Sequence, residues 1–300
     1  MTSISISELF TIIYVLVDDW YQSHGVKLLR GKAGKKPTFT DSEVITLIVA
    51  QDFIPYPSET QYVEFIRANY LDLFPKLLDQ SQFNRRARNL RLLIEAMRRY
   101  WISQKHYDLC SNYLLDTKPI PVVGYKRRKT ASDFAGSAAY GHCASRNMDY
   151  FGYKLVAVTT LRGVPVVYDL VPANTDERLA AESVIDYLSS CDIFADKGFI
   201  GFEWQTNIFD QTNNLIWTPK RRNQHVQNTD KLNRWLSSTR ERIEGVFHEI
   251  QNTGRNIERL LTKTKLGLFT RIIAKMTSHL LRHILRVDFG INVQTFQQSC

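Results

Sequence analysis

The sequence contains few cysteines and no long apolar run, and each absence excludes a class of protein. Its 300 residues include four cysteines, which are scattered and form no CxxC pair, so the sequence has neither a zinc signature nor a small disulfide framework. The apolar run Leu9 to Val17 ends at two aspartates and is far too short to span a bilayer. No basic segment precedes it, and no repeats or low-complexity tracts occur. These features predict a reduced, cytoplasmic globular protein without a membrane partner.

Positive charge is in excess and clustered. The chain has 39 lysines and arginines against 30 acidic residues, and the segment from Arg255 to Arg286 holds eight basic residues and one acid. Clustered positive charge favours a polyanionic partner, and nucleic acid is the default, although any single cluster could be a solvated face. The residues predicted to contact DNA come from three other clusters: Arg85, Arg86, Arg88, Lys126, Arg127, Arg128, Lys220, Arg221 and Arg222.

The first hundred residues show helical patterns. Thr40 and Glu43 have the spacing of a capping box ahead of an apolar segment. The helix that follows Ser81 has an apolar stripe on one face and arginines on the other. A basic helix of this kind could enter a DNA groove or could serve packing alone. We expect residues 1–108 to form an all-helical domain that binds DNA or mediates oligomerisation.

From about residue 112 the pattern changes to strands. The order is strand, strand, strand, helix, strand, helix, strand, helix, which is the order of a ribonuclease-H-like fold. We therefore expect an α/β fold in which a mixed sheet is flanked by helices. The predicted catalytic domain spans residues 109–255. Residues 256–300 are predicted to form a basic helix that packs on it.

Asp116 interrupts an otherwise apolar strand, Tyr113 to Val123. A buried central strand should be almost continuously apolar, so a carboxylate inside it needs a partner, and a metal ion is one candidate. The alternative is an aspartate that caps a turn at the strand end. Asp196 leaves the fourth predicted strand, which neighbours the first in this topology, and a pair of carboxylates at one sheet edge favours the metal.

A third acid is expected on the late helix from Thr229 to Gln251. Ile243 and Phe247 mark its buried face by their spacing, and Glu244 adjoins that face with Arg240 one turn away. Glu241 is the less favoured alternative. Three carboxylates suit Mg²⁺ or Mn²⁺, and two such ions about 4 Å apart can support in-line attack on a phosphodiester.

Five motifs in a fixed order carry a family resemblance. They are Leu115-Asp116-Thr117-x-Pro119-Ile120, Tyr150-Phe151-Gly152-Tyr153-Lys154-Leu155, Pro172-Ala173-Asn174-x-Asp176, Ala195-Asp196-Lys197-Gly198-Phe199 and Arg240-x-x-x-Glu244-x-x-Phe247. Over residues 80 to 290 the chain resembles a DDE transposase of bacterial insertion sequences, in particular insertion sequence family 982. The related pattern Y-x2-R-x3-E-x6-K is met at Arg240 and Glu244 but not at Ser237 and Gln251. This departure leaves the expected metal site intact but gives no support for the DNA-end contacts that the missing pair would make.

The resemblance implies an activity and a set of roles. Asp116, Asp196 and Glu244 would be metal ligands, and Arg240 would steady a phosphate. The protein would bind the terminal inverted repeats of its element in double-stranded DNA, hydrolyse a phosphodiester and direct the 3′-OH at target DNA. It would act as a homodimer or larger assembly on DNA, in the nucleoid region of a bacterial cytoplasm. The alternatives are a catalytically silent DNA-binding derivative and an unrelated ribonuclease-H-like nuclease.

Overall fold

A computed structural model describes residues 4–29, 37–56, 58–123, 130–143, 147–221, 227–254, 256–259 and 262–293, without the side chains of Arg240 and Arg259. The chain divides into two units. Unit 1 comprises Met1–Trp101 and Ile250–Cys300, and unit 2 comprises Ile102–Glu249. No helix in the described ranges has both the length and the apolar character that a bilayer span requires.

Unit 1 is helical, as the sequence predicts. Its capping boxes form at Ser5 with Glu8 and at Thr40 with Glu43, where each side chain bonds the backbone N–H of the other residue. The boxes satisfy backbone donors that a helix start leaves without intrahelical partners. The helices are α1 (Ile6–Trp20, continued by a π-helical turn, Tyr21–Gly25), α2 (Val26–Leu28), α3 (Asp41–Ala50), α4 (Glu59–Asn69), α5 (Gln80–Gln104) and α9 (Lys265–Asp288).

The last helix packs into unit 1. Ala274, Leu281 and Leu285 of α9 belong to the same apolar core as residues of α1, α3, α4 and α5. This differs from the expectation that residues 256–300 pack on the catalytic domain. Sequence proximity suggested that neighbour, but the apolar face of α9 is buried among the N-terminal helices. The unit boundaries, after Trp101 and after Glu249, also differ from the expected 108 and 255.

Buried ion pairs join α9 to the N-terminal helices. Lys275 Nζ lies 2.7 Å from Asp52 Oδ1, with the lysine side chain 2% exposed. Arg271 pairs with Glu59 and donates to Gln51 Oε1 at 3.1 Å. Burial lowers the pKa of Arg271 to about 10, so its guanidinium stays charged at neutral pH. These cations of the basic C-terminal segment therefore serve the interior of unit 1 rather than a polyanion.

Unit 2 is built on a six-stranded mixed sheet, and the predicted α/β architecture is confirmed. The strand order is β2-β3-β1-β5-β6, with β4 also pairing β3. β3 runs antiparallel to β1, β2 and β4, whereas β1–β5 and β5–β6 are parallel. The strands are β1 (Asn112–Val123), β2 (Ala139–Cys143), β3 (Met148–Thr160), β4 (Pro165–Pro172), β5 (Asp192–Ala195) and β6 (Leu215–Trp217).

Three further helices complete the alternation of helices and strands. They are α6 (Glu177–Ile185), α7 (Phe202–Thr212) and α8 (Asp230–Asn252). Trp204 Nε1 donates to Glu182 Oε1 at 2.9 Å, which ties α7 to α6. Among the described residues four strands precede α6, whereas the sequence predicts three. The short β2 is the additional strand, because Ala139 to Cys143 contains no β-branched residue and no apolar run. It pairs with the first part of β3, Met148–Gly152.

Replacing Lys275 by methionine should destabilise unit 1. The carboxylate of Asp52 would stay buried without its ammonium partner, which costs about 3–5 kcal/mol of unfolding free energy. Urea denaturation monitored by circular dichroism measures the shift. Adding Asp52→Asn to the variant should restore most of the loss, and Lys263→Met, at an exposed position, should stay within about 0.5 kcal/mol of the wild type. Equal midpoints for Lys275→Met and Lys263→Met would contradict the role given to the buried pair.

Candidate active site

Asp116 lies within β1, and Asp196 directly follows β5, the parallel strand beside it. In the register of β1 with β5, Leu115 lies opposite Ala195, and the two aspartates are the next residues. Asp116 Oδ1 accepts the N–H of Thr117 at 2.7 Å, and Asp196 Oδ1 accepts the N–H of Lys197 at 2.6 Å. Both side chains are half-buried. The structure thus brings together the two carboxylates that the sequence singled out.

Helix α8 supplies an apolar wall to the site. A small pocket is formed by Leu115, Asp116, Phe194, Ala195, Asp196, Leu236 and Ile243. Ile243, which marks the predicted buried face of this helix, is 2% exposed. Next to the pocket, the rings of Phe194 and Trp235 meet edge to face with centroids 4.3 Å apart. Apolar side chains of α8 therefore line one side of the pocket that contains the two aspartates.

Glu244 is exposed on α8, one residue after Ile243. Within the residues that the structure describes, no three His, Cys, Asp or Glu side chains are grouped closely enough to hold a metal ion. Glu244 is therefore not gathered with the two aspartates. Arg240 lies on the same helix, but its side chain is outside the described part. The roles of Glu244 and Arg240 stay predictions.

The pair of aspartates nevertheless fits a hard divalent cation. Mg²⁺ keeps several waters and is commonly held by one or two carboxylates together with substrate phosphates. Asp116 and Asp196 provide two such carboxylates side by side, where the pairing of β1 with β5 ends. Glu244 or a DNA phosphate would complete the oxygen ligands. The donor chemistry agrees with the predicted Mg²⁺ or Mn²⁺.

Glu177, at the start of α6, contacts the segments that follow both aspartates. Thr117 Oγ1 donates to Glu177 Oε1 at 3.3 Å. A Cβ added at Gly198 would lie 1.6 Å from Glu177 Oε2, so the carboxylate packs directly on this backbone. Sequence reasoning missed Glu177, because a glutamate in the first turn of a helix is common for electrostatic reasons alone.

The motif from Tyr150 to Leu155 contains a glycine, and the structure gives a steric reason for it. Gly152 lies opposite Pro121 in the pairing of β3 with β1. A Cβ at this position would lie 2.1 Å from the carbonyl oxygen of Ile120. Glycine therefore allows β3 to approach the strand that carries Asp116.

Lys118 is a second residue that sequence reasoning missed. It lies two positions after Asp116 on β1 and is 7% exposed. Its Nζ lies 5.9 Å from the centroid of the Phe247 ring on α8. Sequence analysis considered the carboxylate inside this strand and did not consider the lysine. A signal was present, because side chains two apart in a strand share a face.

The basic residues predicted to contact DNA have unequal surroundings. Arg85 is exposed and Arg88 is half-buried, whereas the guanidinium of Arg86 donates to Asp41 and to the carbonyl of Phe39. Arg86 therefore takes part in the packing of unit 1. Lys220 and Arg221 follow β6, with Arg221 exposed. The remaining members lie outside the described residues: Lys126, Arg127, Arg128 and Arg222.

Comparison with known proteins gives a match to a family. The family model described as "Transposase DDE domain" matches residues 111–281, more than half of the chain. The matched segment begins just before β1 and includes Asp116, Asp196 and all of α8. No curated protein and no solved structure matches the chain.

Gly198→Ala should destabilise unit 2, because its methyl group would push the Glu177 carboxylate away from Thr117. Because the glutamate side chain can swing away, we expect only the loss of this hydrogen bond, about 0.5–1.5 kcal/mol. Combining it with Glu177→Ala removes the same hydrogen bond only once, so a double-mutant cycle from urea midpoints should show coupling of the two sites. Gly245→Ala, where a Cβ meets no atom within 4 Å, is the control and should be neutral or slightly stabilising. Additive effects of the two substitutions would contradict this contact.

Proposed function

The chain belongs to the transposase DDE domain family, and on that premise we propose that it cuts DNA at the ends of an insertion sequence and joins them to a target. The observation that carries the proposal is the pairing of β1 with β5. This pairing sets Asp116 beside Asp196 within the segment that matches the family. The five motifs support the narrower assignment to insertion sequence family 982.

We assign unit 2 a ribonuclease-H-like fold. Support comes from the antiparallel strands β1, β3 and β4, followed by alternating helices and the parallel strands β5 and β6. In such a sheet the central strand and its parallel neighbour carry the first two acids. β1 and β5 have this relation, since β1 lies between β3 and β5.

In the proposed reaction, Asp116 and Asp196 would hold the metal ions, and Glu244 would complete the site. Mg²⁺ or Mn²⁺ would supply activation of the attacking oxygen and stabilisation of the leaving oxygen. The hydrogen bonds from Thr117 N and Lys197 N orient the two carboxylates. Leu236 and Ile243 keep water from the apolar side of the pocket. Arg240 would steady a phosphate of the DNA backbone.

The proposed partner is double-stranded DNA, first the terminal inverted repeats and then the target. Backbone phosphates are commonly held by arginine and lysine, which set register and orientation. Arg85 and Arg221 are exposed members of the predicted set. Two DNA ends must meet during transposition, so we propose a homodimer or larger assembly on DNA.

Replacing either aspartate by asparagine should abolish cleavage of DNA that carries the ends of the element, in the presence of Mg²⁺. Metal ligands of this kind contribute several kcal/mol to transition-state stabilisation, which corresponds to a loss of roughly a hundredfold or more. Denaturing gels measure cleavage, and mobility shifts measure DNA binding, which should persist. Asp192→Asn, at the other end of β5, is the matched control and should retain activity.

The same assay separates the alternatives. Specific DNA binding without cleavage by the wild type, in Mg²⁺ or Mn²⁺, would contradict the enzyme and favour a silent DNA-binding derivative. Equal cutting of any DNA would favour an unrelated nuclease.

Glu244→Gln should also abolish cleavage, whereas Glu241→Gln should leave it within a few-fold of the wild type. Both glutamates are exposed on the same helix, so the substitutions remove equal charge at neighbouring positions. Cleavage rates under single-turnover conditions decide between them. Loss of cleavage with Glu241→Gln alone would transfer the third ligand to that residue.

A further inference from the structure

Lys118 is a buried cation on the strand that carries Asp116. Its side chain lies on β1 opposite Leu155 of β3, which is fully buried, and Lys118 itself is 7% exposed. Burial of a charged group is costly unless other charges or polar groups compensate it. A lysine in this position therefore needs a reason beyond packing, and a carboxylate site on the same face of the strand provides one.

The register of α8 along β1 places this cation beside the site. Asp116 and Lys118 share a face of the strand and are about 7 Å apart along it. Ile243 lines the pocket at Asp116, and Phe247, one turn later, lies against Lys118 Nζ. One helical turn of four residues rises about 6 Å, which matches two residues of strand. Glu244 directly follows Ile243, so along the helix axis it lies between Ile243, beside Asp116, and Phe247, beside Lys118.

From this geometry we infer that Lys118 is a positioning residue that links metal binding to DNA binding. The inference rests on the proposed metal site. The ammonium, which lies over the ring of Phe247, offsets part of the negative charge of Asp116 and Asp196 and opposes the entry of divalent cations. A DNA phosphate brings negative charge to the same place. This phosphate attracts both the divalent cations and the ammonium, so both metal positions are occupied only when DNA is bound.

The alternative is that Lys118 serves only to pack its alkyl chain in the interior of unit 2, and that its charge has no effect on the metal site. The two hypotheses predict different metal affinities for a variant with a neutral side chain at position 118. If the charge opposes metal entry, removing it tightens metal binding in the absence of DNA. If Lys118 only packs, its removal leaves metal affinity unchanged or weakens it by disturbing the strand.

Mn²⁺ titration of the metal-free full-length protein, followed by the electron paramagnetic resonance of free Mn²⁺, tests the inference. Lys118→Met should bind Mn²⁺ about fivefold to tenfold more tightly than the wild type, from the Coulomb interaction of a unit charge with a divalent ion about 7 Å away in a water-like dielectric. Methionine suits the contact with Phe247, because its thioether packs well on aromatic rings. Lys118→Gln is a second neutral variant with the same expected direction.

Two controls separate the effect of the charge at position 118 from packing at that position and from the net charge of the protein. Lys118→Arg keeps the charge and should stay within twofold of the wild type. Lys154→Met removes one positive charge from the other face of the sheet, where Lys154 Nζ donates to the carbonyl of Thr175 at 2.8 Å. It should change Mn²⁺ affinity by less than twofold. In mobility shifts without metal, Lys118→Met should bind DNA severalfold more weakly than Lys154→Met.

The possible results of the Mn²⁺ titration lead to different conclusions. Unchanged or weaker Mn²⁺ binding by the neutral Lys118 variants would overturn the inference and leave the metal site in place. Tighter binding with a wild type that never cleaves would support the inference while contradicting the proposed function. If the wild type shows no Mn²⁺ binding that Asp116→Asn removes, the metal site and this inference fall together.

Discussion

The parallel pairing of β1 with β5 is the interaction on which the site depends. Leu115 and Ala195 are opposite one another, and the chain places an aspartate immediately after each. A shift of one residue in this register would separate the acids and turn side chains to the other face. β1 is also held on its other edge by β3 over most of its length. The positions of the two aspartates in the backbone are thus set by the hydrogen bonds between the strands.

Much of this arrangement could be predicted from the sequence. A carboxylate inside an apolar strand and a second one before a glycine turn were sufficient to place Asp116 and Asp196 on neighbouring strands, and the capping box at Thr40 identified a helix start. These signals are local, or follow from a common order of strands. Lys118 and Glu177 were missed because their contacts join residues that only the folded chain brings together. A lysine in a strand and a glutamate in a first helical turn have no distinctive pattern of their own.

The number of basic residues in a segment predicted the location of a binding surface less reliably than residue spacing predicted the positions of the acids. Eight basic residues between Arg255 and Arg286 suggested a surface for a polyanion. In the structure, Lys275 and Arg271 form buried ion pairs, and the guanidinium of Arg282 lies 4.5 Å from the ring centroid of Phe53. A sequence count cannot distinguish a cation that neutralises an internal acid from one that faces solvent. That distinction depends on Asp52 and Glu59, which lie more than two hundred residues away.

Because unit 1 is made from both ends of the chain, its completion is delayed during synthesis. Helices α1–α5 leave the ribosome first, then all of unit 2, and only then α9. At roughly 5–20 residues per second, α9 follows α5 by on the order of ten seconds or more. During that interval Asp52 and Glu59 lack the basic partners that they later bury. Unit 2 can therefore be assembled while unit 1 is still incomplete, and a nascent chain that stops short of α9 has a sheet but no finished unit 1.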